Sequence, residues 1–208
     1  MQSVRPADSH LANGLGEPTW AIAEMFPYQG TWSEEEYLAL NGNRLVEFSH
    51  GHVEVLAMPT TSHQSLVEYL HELLKAFARP RRLGRAMFAP LRVRLWPGKF
   101  REPDVLFMLA AHIARIFDEF WDGADLVMEV VSDDNRRHDL QTKRLEYAKA
   151  GIAEYWIVDP QQRAITVLKL EGDCYVVHGE FLPGQLATSA LLPGFSADVT
   201  EVFAQSIV

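Results

Sequence analysis

Asp104 heads the run Asp104-Val-Leu-Phe-Met-Leu109, and Glu129 lies inside Asp125-Leu-Val-Met-Glu-Val-Val131. An unpaired carboxylate among apolar neighbours carries a heavy desolvation cost, so each of these residues requires a compensating partner. An arginine, such as Arg101 for Asp104, or water at a strand end is one solution. A hard divalent cation is another, because Mg²⁺ is held by one or two carboxylates together with waters and substrate phosphate. Downstream, Asp139, Lys143 and Tyr147 recur at four-residue steps and share one helix face. Asp139 and Lys143 alone describe a surface ion pair worth about 0.3–0.5 kcal/mol. Beside two carboxylates, however, a cationic side chain completes the set that phosphodiester hydrolysis requires.

The elements that must position these groups follow from local patterns. Thr31 with Glu34, or Ser33 with Glu36, offers a capping box that opens a short helix to about Leu40. Residues 45–48 and 53–58 flank the polar turn Ser49-His50-Gly51-His52 and predict a hairpin carrying Glu47. Leu66, Leu70, Leu73, Leu74 and Phe77 predict an amphipathic helix over residues 62–78, and the alternation Leu91, Val93, Leu95 predicts one half-buried strand over 86–96. The runs holding Asp104 and Glu129 read as central strands covered on both faces. Residues 136–149 predict a helix, 154–159 a strand, and 164–170 with 174–178 a last hairpin. The sum is an α/β fold with one mixed β-sheet flanked by helices.

A chain of 208 residues, 48% of them hydrophobic, predicts one core and one globular domain over 29–208, preceded by an extension over 1–28 that lacks periodicity. No apolar run approaches the roughly 20 residues of a spanning helix, and the lone Cys174 supports neither an intrachain disulfide nor a thiolate cluster. The expectation is a cytoplasmic protein without membrane contact. The net charge of −9 excludes a protein that coats nucleic acid through bulk electrostatics. Local contact would fall to a patch such as Arg79, Arg81, Arg82 and Arg85, a run that more often marks a solvated helix end.

The order of motifs is more specific than any one of them. Glu47 with Gly51, His63, Pro103-Asp104, Glu129-Val130-Val131-Ser132, then Asp139, Lys143, Tyr147 and Glu154-Tyr-Trp-Ile-Val-Asp159 resemble the Uma-type restriction endonucleases of the PD-(D/E)XK nuclease superfamily. The resemblance covers roughly residues 31–178. It implies a restriction-endonuclease-like αβββαβ core in which Asp104 and Glu129 bind Mg²⁺, or Mn²⁺ in its place, and Glu47 is an accessory carboxylate. The superfamily lysine stands two residues after the acidic residue, a place filled here by Val131, so its water-orienting role passes to Lys143. Ser132, His63, Asp139 and Tyr147 are implied in support. DNA is the implied substrate, and a two-fold duplex favours a homodimer formed through Leu191, Leu192, Phe195, Val199 and Phe203, or through Trp20 and Phe26.

Two other readings fit the same residues. A catalytically inactive nuclease-fold dimer could serve as a binding or regulatory module, to which an acidic chain is suited. A glycosidase could use two carboxylates as acid and nucleophile, but it needs no lysine and calls for sugar-stacking aromatic side chains at its cleft.

Overall fold

The computed structural model describes residues 27–40, 45–132, 136 and 138–206, with 138 and 139 described by backbone alone. Most of the expected extension, with Trp20 and Phe26, lies outside them. Helix α1 (Glu34–Leu38) opens on the Ser33–Glu36 capping box, one of the two the sequence offers. Strands β1 (Val46–Ser49) and β2 (His52–Val55) form the expected hairpin. Helix α2 (Thr61–Ala78), N-capped by the Thr60 hydroxyl, buries Leu66, Val67, Leu70 and Leu74.

The strand expected over 86–96 is two strands. Pro90, which has no N–H to give to a ladder, separates β3 (Gly84–Phe88) from β4 (Val93–Trp96), and the two join different sheets. The chain continues through β5 (Lys99–Arg101), β6 (Val105–Leu109), a 3-10 turn (Ala110–Arg115), β7 (Trp121–Asp122) and β8 (Leu126–Val130). The next helix is wound as a π-helix over His138–Lys143 before it becomes α3 (Arg144–Lys149). Strands β9 (Glu154–Asp159), β10 (Ala164–Glu171), β11 (Cys174–Phe181), β12 (Leu186–Thr188) and β13 (Ser196–Asp198) lead to α4 (Val199–Ala204).

The α/β class holds, but the expected single mixed sheet is divided. A six-stranded sheet has the order β11-β10-β9-β8-β6-β3, and a five-stranded sheet the order β2-β1-β5-β4-β7, with β12 and β13 paired apart. Strands β8 and β9 are parallel, and the other pairs of the six-stranded sheet are antiparallel. The period of two assigns its faces. Val105, Phe107, Leu126, Met128, Trp156 and Val158 face α2 and the C-terminal segment. Leu106, Met108, Val127, Tyr155 and Ile157 face β4 and α3. Both faces are therefore covered, which is why these strands read as unbroken apolar runs. Glu129 shares the parity of Val127 and points to the face where α3 packs.

The C-terminal apolar residues are core, not a docking surface. Leu192, Phe195, Val199 and Phe203 are buried with α2, and the Phe195 ring centroid lies 5.4 Å from Phe77 and 5.6 Å from Trp156. A sequence pattern cannot tell an apolar segment folded back on its own chain from one facing a partner. Phe195→Ala should therefore lower the unfolding free energy by about 3–5 kcal/mol in urea titration, as for a buried aromatic, whereas an exposed interface residue would change it little.

Candidate active site

The C-terminal end of β8 meets the residue before β6 through a backbone-to-side-chain contact. Asp104, one residue before β6, accepts a hydrogen bond at Oδ2 from the Val130 N–H at 2.8 Å. Its carboxylate thus stands beside the residue that follows Glu129. His63, in the first turn of α2, brings Nε2 to 3.3 Å from the same Asp104 oxygen and 3.2 Å from the Val130 carbonyl. Burial opposes a proton on His63, but the hydrogen bond and charge of Asp104 outweigh it and raise the pKa above the ordinary value.

Glu129 is buried and held from α3 and the turn before it. Lys143 Nζ lies 2.9 Å from Oε2, and the Tyr147 hydroxyl donates to Oε1 at 2.5 Å. Burial first, and then the Glu129 charge, push the Tyr147 pKa well above its usual value, so the phenol remains a proton donor. Lys143 and Glu129 are both buried, and removal of either would leave the other charge stranded in a low dielectric. Asp104, Glu129, Lys143, His63 and Ser132 all line one cavity of about 400 Å³. The side chain of Asp139 lies outside the described residues.

Glu47 is on β1 as expected, yet it is engaged elsewhere. Its Oε2 accepts from Arg101, and its Oε1 accepts from the Glu102 N–H at 3.3 Å. Arg101 forks onto both oxygens of Glu146 at 2.7 and 3.0 Å, and Lys99 reaches Glu146 at 2.6 Å. Arg101 is therefore the partner of Glu47 and Glu146, not of Asp104. Burial works against its charge, but Glu47 and then Glu146 keep its pKa above the ordinary value. This network ties β1 and β5 to α3. Sequence reading missed it, because β5 has only three residues; the one signal was Lys99 and Arg101 alternating on one side of an extended segment.

Glu102 was also missed. It is buried, lines the cavity with Asp104 two residues on, and leaves Oε2 without a hydrogen-bond partner. The arginine patch is remote from these groups: Arg79 caps the far end of α2, 16 residues from His63, or roughly 24 Å along the helix.

A model of the Uma2 family, described as putative restriction endonucleases, matches residues 34–200. The chain belongs to that family. The fold is also that of a crystal structure from Anabaena variabilis, described as a putative nuclease belonging to DUF820, with 19% identity and a TM-score of 0.69 over 85% of this chain and 99% of that one. No match was found among curated proteins. No described helix is long and apolar enough to cross a membrane.

A divalent metal is typical of the restriction-endonuclease-like fold. Among the described residues no group of three or more acidic, histidine or cysteine side chains is arranged to hold one. Asp104 and Glu129 nevertheless offer an all-oxygen pair on one cavity, which fits Mg²⁺, an ion commonly held by one or two carboxylates and completed by waters.

The state of Glu102 gives a pH test. Burial, and then the nearby Glu47 charge, raise its pKa from 4.5 to about 7. A carboxyl whose folded-state pKa exceeds its unfolded value costs nothing below about pH 4.5 and its full penalty above about pH 7. Glu102→Gln removes that penalty. The variant should be more stable than wild type by on the order of 3 kcal/mol at pH 8, with the difference shrinking to nothing near pH 4.5 in chemical denaturation.

Proposed function

We propose that this protein is a Mg²⁺-dependent endonuclease that hydrolyses phosphodiester bonds of DNA, with Mn²⁺ accepted in place of Mg²⁺. The observation that carries the reading is the cavity on which Asp104, Glu129 and Lys143 all open, with each side chain held by others: Asp104 by Val130 and His63, Glu129 by Lys143 and Tyr147. Asp104 and Glu129 are assigned to hold the cation. When bound, that ion supplies Lewis-acid polarisation of the phosphate and a more acidic water.

The protein's own part is preorganisation. Tyr147 fixes the orientation of Glu129 by donating to it. Lys143 places a positive charge at the cavity wall, where it orients the attacking water and offsets charge that builds on the phosphate. His63 fixes Asp104 from the opposite element, and Ser132 is assigned to contact the substrate at the rim. Glu47 acts from behind: through Arg101 and the Glu102 N–H it sets the chain segment that carries Asp104. An acidic protein with its arginine patch far from the cleft has little other means of drawing a phosphate to this place.

The glycosidase reading loses support, because the described residues that line the cavity include no Phe, Tyr or Trp. The binding-module reading is separated by variants. Asp104→Asn and Glu129→Gln keep shape but remove ligand charge, so both should abolish Mn²⁺-dependent cleavage of plasmid and single-stranded DNA and weaken Mn²⁺ binding in titration. Lys143→Ala should still bind Mn²⁺, more tightly than wild type, while turnover falls by a factor on the order of 10². Unchanged turnover in Lys143→Ala would sink the role given to Lys143, whereas a wild-type protein that binds Mn²⁺ and cuts neither substrate would favour the module.

The proposal includes a homodimer, since a two-fold partner suits a symmetric duplex. Light scattering at micromolar concentration should return twice the mass of one chain, and a monomeric mass removes this claim.

A further inference from the structure

Between Glu72 and Glu102 the chain has no acidic residue, although 28 of its 208 residues are Asp or Glu, and the same stretch holds nine of the 19 Lys and Arg side chains. The fold divides these cations into two groups. Arg94 pairs with Asp122, Lys99 with Glu146, and Arg101 with Glu47 and Glu146, while Arg92 donates to the Leu38 and Leu40 carbonyls. Arg79, Arg81, Arg82 and Arg85 are exposed instead. Arg81 closes the end of α2, donating to the Phe77 carbonyl at 3.0 Å and lying 4.3 Å from the centre of the Phe77 ring. The guanidinium groups of Arg79, Arg82 and Arg85 have neither an ion pair nor a hydrogen bond among the described residues. Like charges gathered without an acid in reach repel one another, and a bound anion relieves that repulsion.

The place of the patch selects the anion. Helix α2 runs from His63 at the cavity to Arg79, and β3 returns from Gly84 to Phe88, with Ala89 again at the cavity wall. The His71 and Phe88 rings, with centroids 4.6 Å apart, join the two elements. The arginine turn therefore stands at one end of this pair and the candidate active site at the other. On α2, exposed Glu68 and Glu72 repel an anionic chain, whereas β3 is the edge of the six-stranded sheet, carries Arg85 and has no acidic residue. The separation of roughly 24 Å along α2 equals about seven steps of a duplex at about 3.4 Å each. A chain of regularly spaced phosphates can occupy both ends at once. An acidic peptide would neutralise the arginines as well, but it gains nothing from a cavity lined by Asp104 and Glu129.

We propose that Arg79, Arg82 and Arg85 form a second nucleic-acid contact, which holds the phosphate backbone about seven nucleotides to one side of the phosphate in the cavity. The choice of partner rests on the nuclease reading. The contact reads no sequence, because the backbone is the same at every step. Fluorescence anisotropy in EDTA tests it apart from cleavage, with a duplex of about 20 base pairs and its single strand titrated at about 50 to 200 mM salt. The combined variant Arg79→Gln, Arg82→Gln, Arg85→Gln should bind the duplex on the order of tenfold more weakly at the lowest salt, with the log–log salt slope shallower by about 2–3. The corresponding triple Lys variant should keep both the affinity and the slope. With Mn²⁺, the Gln variant should cut plasmid on the order of tenfold more slowly at limiting DNA. It should hydrolyse bis(p-nitrophenyl) phosphate, which is too small to reach the patch, at the wild-type rate.

Absence of binding by wild type, or equal affinity and slope in wild type and the Gln variant, overturns the proposal, and Mn²⁺-dependent cutting of plasmid by wild type then leaves the nuclease reading standing. Displacement of the duplex by polyglutamate of equal total charge also overturns it and gives the patch to an acidic protein. Loss of bis(p-nitrophenyl) phosphate hydrolysis in the Gln variant overturns it as well, since the substitutions would then have reached the cavity. Salt-dependent binding through the patch in a protein that cuts neither DNA nor the small ester supports the contact and sinks the nuclease reading alone. Tighter binding of the duplex than of the single strand, or the reverse, identifies which form of nucleic acid the contact holds.

Discussion

Several carboxylates are withdrawn from water where the strands are covered on both sides, and their compensation organises much of the rest. Glu154 shows the fully satisfied case. Its two oxygens accept from Trp156, Ser189, Ala190 and Leu191 at 2.6–2.7 Å, which draws the segment after β12 back onto β9. Glu47 is satisfied by Arg101, which in turn needs Glu146 on α3 and so binds one sheet to the helix that covers the other. Glu129 is met by Lys143 and Tyr147. Each pair is costly to break singly, because the remaining charge would be buried alone.

These solutions differ in what they leave for chemistry. The Glu154 group is closed on itself, and the Glu47–Arg101–Glu146 group faces inward and holds elements in register. Glu129 is reached by a cation and a neutral donor but still opens on the cavity, as does Asp104. Glu102 is left with an unmatched oxygen and a raised pKa, a destabilising arrangement. The cavity that Asp104, Glu129 and Glu102 line lies where the two sheets and α2 meet.

Much of this was legible in the residues. Apolar runs interrupted by one acidic residue identify the central strands and the carboxylates of the candidate site, since only a strand buried on both faces makes a lone carboxylate conspicuous. The helix expected over residues 62–78, observed from Thr61, and the Ser33 box, one of two the sequence offers, are legible because contacts within one or two turns decide them. Arg101, one of the partners the sequence offers Asp104, pairs with Glu47 and Glu146 instead, because proximity in sequence says nothing about which way two side chains point.

What the sequence alone determined was the class of fold, the identity of the central strands and the acidic, lysine and tyrosine residues of the candidate site, because these depend on periodicity and residue chemistry. Tertiary structure decided what depends on long-range approach. It split residues 86–96 between two sheets at Pro90, folded the C-terminal apolar segment into the core, locked Glu47 onto Arg101, and left Glu102 as the buried carboxylate with an unpaired oxygen. Those outcomes are set by which groups can satisfy one another once water is excluded, and residues distant in the chain settle that competition.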